Sequence, residues 1–130
     1  MIALDTNVLV RYLVRDNEVQ AEAAKALLSS LAPDNRAFIC REVIVELVWV
    51  LERAYGFSRN QIATTLMELV ATDVFLVEEG DDAFRAAFQY LASSADFSDL
   101  MILAAAERLS ARSMYSFDKR AARVNGVSLL

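Results

Sequence analysis

Residues 1–10 read MIALDTNVLV, from Met1 to Val10, and this stretch sets the fold class. A short apolar burst, Ile2 to Leu4, stops on Asp5-Thr6-Asn7, and an apolar-periodic stretch begins immediately after it. A buried parallel strand reads this way when it ends on a carboxylate and passes into a helix. Residues 1–5 are therefore predicted as a first strand and residues 6–15 as a helix. Ligands bind at the carboxyl ends of strands in open parallel sheets, which makes Asp5 a candidate site residue. Its other reading is a helix N-cap, among the commonest places for Asp. Thr6 and Asn7 suit either support for that carboxylate or turn chemistry.

The same alternation continues along the chain. The Ala-rich stretch 17–31 reads as a second helix, and Pro33-Asp34-Asn35 as a loop. Ala37-Phe38-Ile39 is a second strand. From Arg41 to Tyr55 the pattern is helical and apolar nearly all round, with Gly56 as its stop. Ser58 caps the next helix, whose inner face carries Ile62, Leu66, Leu69 and Val70. Val74 to Val77 is a third strand, and Asp81 or Asp82 starts a helix reaching Ser94. A further helix runs from Phe97 to Ser110, and Ser113 to Phe117 is a fourth strand. A short helix covers 119–123, and Val127 to Leu130 is a last edge strand. Strands alternating with helices specify an α/β fold, its parallel sheet covered on both faces. Right-handed crossovers bring the strand C-termini to one edge, where Asp5 and Asp118 both fall.

With 130 residues and no repeat, low-complexity segment or boundary, residues 1–130 read as one domain. No apolar run approaches the roughly 18 residues needed to span a bilayer. No basic region precedes the first apolar stretch, so it does not read as a secretory signal. The lone Cys40 has no partner for an internal disulfide, which fits a reducing cytoplasm. A net charge of −5 argues weakly against nucleic acid, since phosphates are normally met by Lys and Arg. Bound divalent cations would reverse that sign locally. With no His in the chain, His-driven ribonuclease chemistry and a Ser-His-Asp triad are excluded. Carboxylates remain as the main reactive groups.

Glu46 stands in REVIVELVWVLERAY, where a buried carboxylate is costly without a compensating charge. A metal ion or an Arg would serve. Glu42, one turn earlier near the helix start, suits the helix dipole and reads as structural. Asp96 and Asp99 begin the helix in SADFSDLMILAAAERL. Their spacing fits a capping-box-like start, and equally places two carboxylates on one face to share a cation. Asp118, in YSFDKRAARV, is a strand-end ligand or a cap. Four such acids near one sheet edge would repel unless protons or cations intervene. Hard oxygen donors without His or Cys favour Mg²⁺ or Mn²⁺ over zinc.

With these residues the chain resembles the PIN-domain family, and within it the VapC-type toxins of bacterial and archaeal toxin–antitoxin pairs. The resemblance covers essentially the whole chain. It rests on LDTNVLVRYL, VELVWVL with Glu46, ADFSDLMILAAA with Asp96 and Asp99, and YSFDKRAARVNGVSLL with Asp118. It implies a three-layer fold with a central, mostly parallel sheet of four to five strands flanked by helices. It implies a catalytic, metal-binding quartet of Asp5, Glu46, Asp99 and Asp118, with Asp96 as an auxiliary metal carboxylate. Thr6, Asn7 and Ser116 would support the site, Ser116 standing where Thr is more usual. The activity implied is a Mg²⁺-dependent endoribonuclease, Mn²⁺ substituting, the toxin of a type II pair. Implied partners are an RNA substrate, a small cognate antitoxin and a second copy in a homodimer, with no membrane. Arg11, Arg15, Lys119 and Arg120 are candidates to hold RNA phosphates, although a solvated surface is their ordinary role. The antitoxin cleft would lie beside the first helices and the 41–55 helix.

Three other readings compete. A haloacid-dehalogenase-like phosphatase begins with a strand ending Asp-x-Asp, but Asn7 occupies the second acid position. A receiver domain needs a phospho-accepting Asp after its third strand, where Glu79 is a poor substitute. In a non-catalytic α/β interaction module the acids would be helix caps only.

Overall fold

A computed structural model describes all residues from Met1 to Leu130. Five short strands alternate with six helices. They are β1 (Ile2–Ala3), α1 (Thr6–Val14), α2 (Glu18–Ser29), β2 (Ala37–Ile39), α3 (Arg41–Arg53) and α4 (Arg59–Ala71), then β3 (Phe75–Val77), α5 (Gly80–Ala92), α6 (Phe97–Arg108), β4 (Met114–Ser116) and β5 (Val127–Leu129). The alternation read from sequence holds throughout. The predicted helix at 119–123 is a single 3₁₀ turn, Ala121–Arg123.

Every strand pair is parallel, but the five strands form two sheets. One has the order β1-β2-β3, and the other pairs β4 with β5. This corrects the expected continuous sheet of four to five strands. The N–H groups of Ile2 and Leu4 both bond toward the β2 side, to Arg36 O and Phe38 O. Backbone groups alternate sides along a strand, so β1 turns only Ala3 toward any further neighbour. One residue is too little ladder to hold β4.

Helix boundaries follow from local chemistry. Ser58 accepts from Gln61 N while the Gln61 side chain accepts from Ser58 N, a complete capping box. Gly56, at φ +64°, supplies the left-handed turn between α3 and α4. Between the sheets and the helices lies one core of 27 buried residues, including Leu9, Ile39, Ile44, Leu47, Leu51, Ile62, Leu66 and Met101. On α3 the buried positions are Ile44, Leu47, Val48 and Leu51. The expectation of a helix apolar all round is corrected here. Glu42, Glu46, Trp49 and Arg53 form an exposed stripe opposite the core.

Asp82 is the one charged residue of the interior. It does not start α5, as its sequence position suggested; the helix begins at Gly80. Its carboxylate is 1% exposed, taking Arg41 Nη1 at 2.7 Å and Arg108 Nε at 3.1 Å. Arg41 also donates to Met101 O at 3.0 Å, and its backbone N–H donates to Glu78 Oε1 at 2.9 Å. The start of α3, the start of α5 and the body of α6 are thereby tied at one point. Removing one partner of a buried ion pair typically costs about 3–5 kcal/mol. Arg108 keeps 37% of its side-chain exposure, so Asp82→Ala is expected to lower unfolding free energy by about 2–3 kcal/mol. Urea denaturation checks this, and an unchanged midpoint would remove Asp82 from the stability argument.

Candidate metal centre

Three of the predicted acids come together. Asp96 precedes α6, Asp99 lies in its first turn, and Asp118 follows β4. Each can offer one carboxylate oxygen such that the three atoms lie within 4.8 Å of one another. That is the spacing at which one small cation can be shared by oxygen donors.

Each acid is held differently. Asp118 Oδ1 accepts from Arg120 N at 2.8 Å and from Ala121 N at 3.1 Å. Those backbone donors, Ala121 first, hold its carboxyl below the ordinary Asp value. Ser116 Oγ accepts from Asp118 N at 3.0 Å and so fixes the turn that presents the acid. Asp99 is half-buried. Desolvation first, then the charges of Asp118 and Asp96, hold its carboxyl above the ordinary value, while Arg120 opposes them. Asp96 sits at the N-cap position of α6, yet its side chain makes no cap hydrogen bond. It faces Arg120 Nη2 at 3.4 Å instead, and the same nitrogen lies 4.0 Å from Asp118 Oδ2.

The loop carrying Asp96 is anchored from behind. Arg59, the first residue of α4, donates to Tyr90 O at 2.9 Å, Ser93 O at 3.2 Å and Ala95 O at 3.0 Å. Its guanidinium also lies 4.0 Å from the centre of the Tyr90 ring. Nothing in the sequence marks Arg59 for this role, because its acceptors are backbone carbonyls some 31–36 residues away.

Asp5 and Glu46 are not in the three-acid cluster. Asp5 lies two residues beyond β1 and caps α1, its Oδ1 accepting from Val8 N at 3.1 Å. It lines an open groove with Asn7, Arg11 and Gln20, while Thr6 behind it is buried. Glu46 is exposed, so the burial cost inferred from its apolar neighbours does not arise. It lines a groove of about 520 Å³ between α3 and α6, with Glu42, Trp49, Ser98 and Ile102. Trp49 and Ser98 also line an adjoining groove, and Asp96 of the cluster lines that one.

Among the predicted cations, Arg11 bonds Gln20 Oε1 at 2.5 Å and approaches Asp16 and Tyr55 at 3.4 Å. Arg15 pairs with Glu22 at 2.6 Å and Glu18 at 3.7 Å. Lys119 is exposed. Arg120 is the cation at the cluster itself.

The PIN domain family model matches residues 2–127. The chain belongs to the PIN-domain family. It is also similar to a protein from Aquifex aeolicus (strain VF5) named "VapC ribonuclease", with 27% identity over 121 residues spanning 92% of this chain and 89% of that protein. An acidic cluster of Asp96, Asp99 and Asp118 is present, and its chemistry suits a divalent cation. All the donors are hard carboxylate oxygens, and Asp96 is left uncommitted to its helix.

Folding raises the Asp99 pKa, so the charged form of Asp99 opposes folding. The penalty is absent below the ordinary Asp value of 3.8 and grows as pH rises through the folded-state value. With chelator present, Asp99→Asn is expected to melt above the wild-type chain at neutral pH. The gap should close as the pH falls toward 3.8. Scanning calorimetry across pH checks this; a gap of zero at every pH would show that Asp99 carries no such penalty.

Proposed function

We propose that residues 1–130 form a single PIN domain that acts as a Mg²⁺-dependent endoribonuclease, with Mn²⁺ able to substitute. It would be the toxin of a type II toxin–antitoxin pair, acting in the cytoplasm. The observation that carries this reading is the convergence of Asp96, Asp99 and Asp118 within 4.8 Å. Family membership and the similarity to a named VapC ribonuclease support it. No helix is long and apolar enough to cross a membrane.

In this reading Asp99 and Asp118 hold the cation, and Asp96 is an auxiliary carboxylate. Asp5 and Glu46 complete the catalytic set from the end of β1 and the exposed stripe of α3. A divalent cation held there supplies Lewis acidity toward a phosphodiester oxygen and acidifies the attacking water. A carboxylate of the set orients that water, and Ser116 keeps Asp118 presented through its bond to the Asp118 backbone. Thr6 and Asn7 support Asp5. Lys119 and Arg120 flank Asp118 and meet the RNA phosphates. Arg11 and Arg15 serve the same role after exchanging their internal partners. Asp96, Asp99 and Asp118 would hold the cation, and Arg120, now facing Asp96, would then be available to a phosphate.

The toxin assignment entails a small antitoxin, which we place in the cleft beside Asp5, Arg11 and Gln20 on α1 and α2. It also entails a homodimer. The exposed aromatic and aliphatic face of α5, with Phe84, Phe88 and Leu91, suits that contact.

Incubation with total RNA is expected to yield discrete cleavage products with Mg²⁺ or Mn²⁺ and none with excess chelator. Asp99→Asn and Asp118→Asn should each slow cleavage by at least roughly 100-fold, about 2.7 kcal/mol of barrier. Calorimetric titration should show Mn²⁺ binding in wild type that both variants weaken. RNA left intact by a folded protein that binds Mn²⁺ would reject the nuclease reading, and an absence of Mn²⁺ binding would reject the metal centre.

A further inference from the structure

Glu42, Glu46, Trp49 and Arg53 follow one another along the solvent face of α3 at intervals of four, three and four residues. Three are charged, and Trp49 alone is not. A large apolar side chain here has no folding reason: Trp49 is 60% exposed and the α3 contribution to the core is complete without it. Trp49 also lines two adjoining grooves. One holds Glu46 and Ile102, the other holds Asp96 and Arg53, and Ser98 is common to both. The indole therefore stands beside the acids on either side of it, one helical turn from Glu46.

Charged neighbours decide which ligand suits this surface. The core of a protein–protein interface is depleted in charge and enriched in contiguous apolar area. Along the α3 stripe a lone aromatic is bracketed by carboxylates and by Arg53, which is exposed and in no ion pair. An aromatic face with an adjacent free guanidinium matches an unpaired nucleotide, whose base stacks while its phosphate meets the cation. The apolar face of α5 is different in kind, with Phe84, Phe88 and Leu91 at successive turns.

We propose that Trp49 is a stacking platform for an unpaired RNA base next to the scissile phosphodiester, with Arg53 holding the neighbouring phosphate. This rests on the ribonuclease reading and assigns a base-binding residue to that site. Sequence tolerance follows because every base has a π face.

Trp49 is the one tryptophan of the chain, so its emission reports this position alone. A 12-nucleotide single-stranded RNA is titrated into the full chain in Ca²⁺ buffer. Saturable quenching is expected, while an abasic ribose-phosphate strand of equal length should bind without quenching. Trp49→Ala should weaken RNA binding roughly tenfold, Trp49→Phe should recover most of it, and Arg53→Ala should flatten its salt dependence. Unchanged emission and unchanged Trp49→Ala affinity, with wild type still cutting RNA in Mg²⁺, would overturn the platform and leave the nuclease reading standing. If wild type neither binds nor cuts RNA, both fall. Loss of a dimer in Trp49→Ala with RNA affinity intact would make this a contact between copies and overturn the proposal.

Discussion

Asp82 brings a carboxylate into the core and draws Arg41 and Arg108 onto it, and the rest of the architecture is organised around that junction. Parallel strands of two or three residues give few ladder bonds, so the sheets alone cannot set the angles of six helices. Arg41 is the first residue of α3, Asp82 lies in the first turn of α5, and Arg41 also holds Met101 O on α6. Three helices, α3 leaving β2, α5 leaving β3, and α6 after it, are thus referenced to one point. Glu46 lies just over one turn beyond Arg41, and Asp99 lies two residues before Met101. The clamp that stabilises the core therefore also fixes the spacing between the α3 stripe and the α6 acids. Such a pair adds less to stability than equivalent apolar packing would, and its contribution is directional.

At the candidate metal centre the physical difficulty is the reverse, since three acids are gathered near the surface with little to neutralise them. Different parts of the chain meet that difficulty for each acid. Backbone N–H groups of the turn after β4 favour the charge on Asp118, burial disfavours it on Asp99, and Arg120 faces Asp96. A net charge of −5 is a poor guide to such a surface. Several of its cations are already committed to internal acids, as Arg11, Arg15, Arg41 and Arg108 are. What matters for an anionic ligand is which cations near the acids stay free or can be released, and Lys119, Arg53 and Arg120 are among them.

Local chemistry made much of this legible in advance. Ala37-Phe38-Ile39 is a strand with the predicted bounds, and Ser58 caps α4 as its sequence implies. Those features depend on neighbours within four residues. Features that depend on distant partners were not legible. Asp82 reads as an ordinary helix-start acid because both of its arginines lie 26 or more residues away. The division into two sheets depends on which side of β1 its N–H groups face. Trp49 was hidden by an average: a count of apolar residues on α3 obscures the i, i+4, i+7, i+11 stripe that Glu42, Glu46, Trp49 and Arg53 make. That signal was present in the sequence and needed only the helical period to reveal it.

Cap and ligand stood as alternatives for each acid, and the capping geometry of two of them leaves room for both. Asp5 gives Oδ1 to the α1 N-terminus, and Asp118 gives Oδ1 to the turn after β4. In both, the second oxygen takes no hydrogen bond, so capping leaves one oxygen of each carboxylate open. Capping also immobilises the carboxylate, which lowers the entropic cost of holding a cation with the oxygen that remains. Asp96 inverts the arrangement, occupying an N-cap position without capping and leaving both oxygens to Arg120. An N-cap bond is worth about 1 kcal/mol, and forgoing it has no benefit for α6 itself. The carboxylate that declines its local role is the one whose position is explained only by the charges around it.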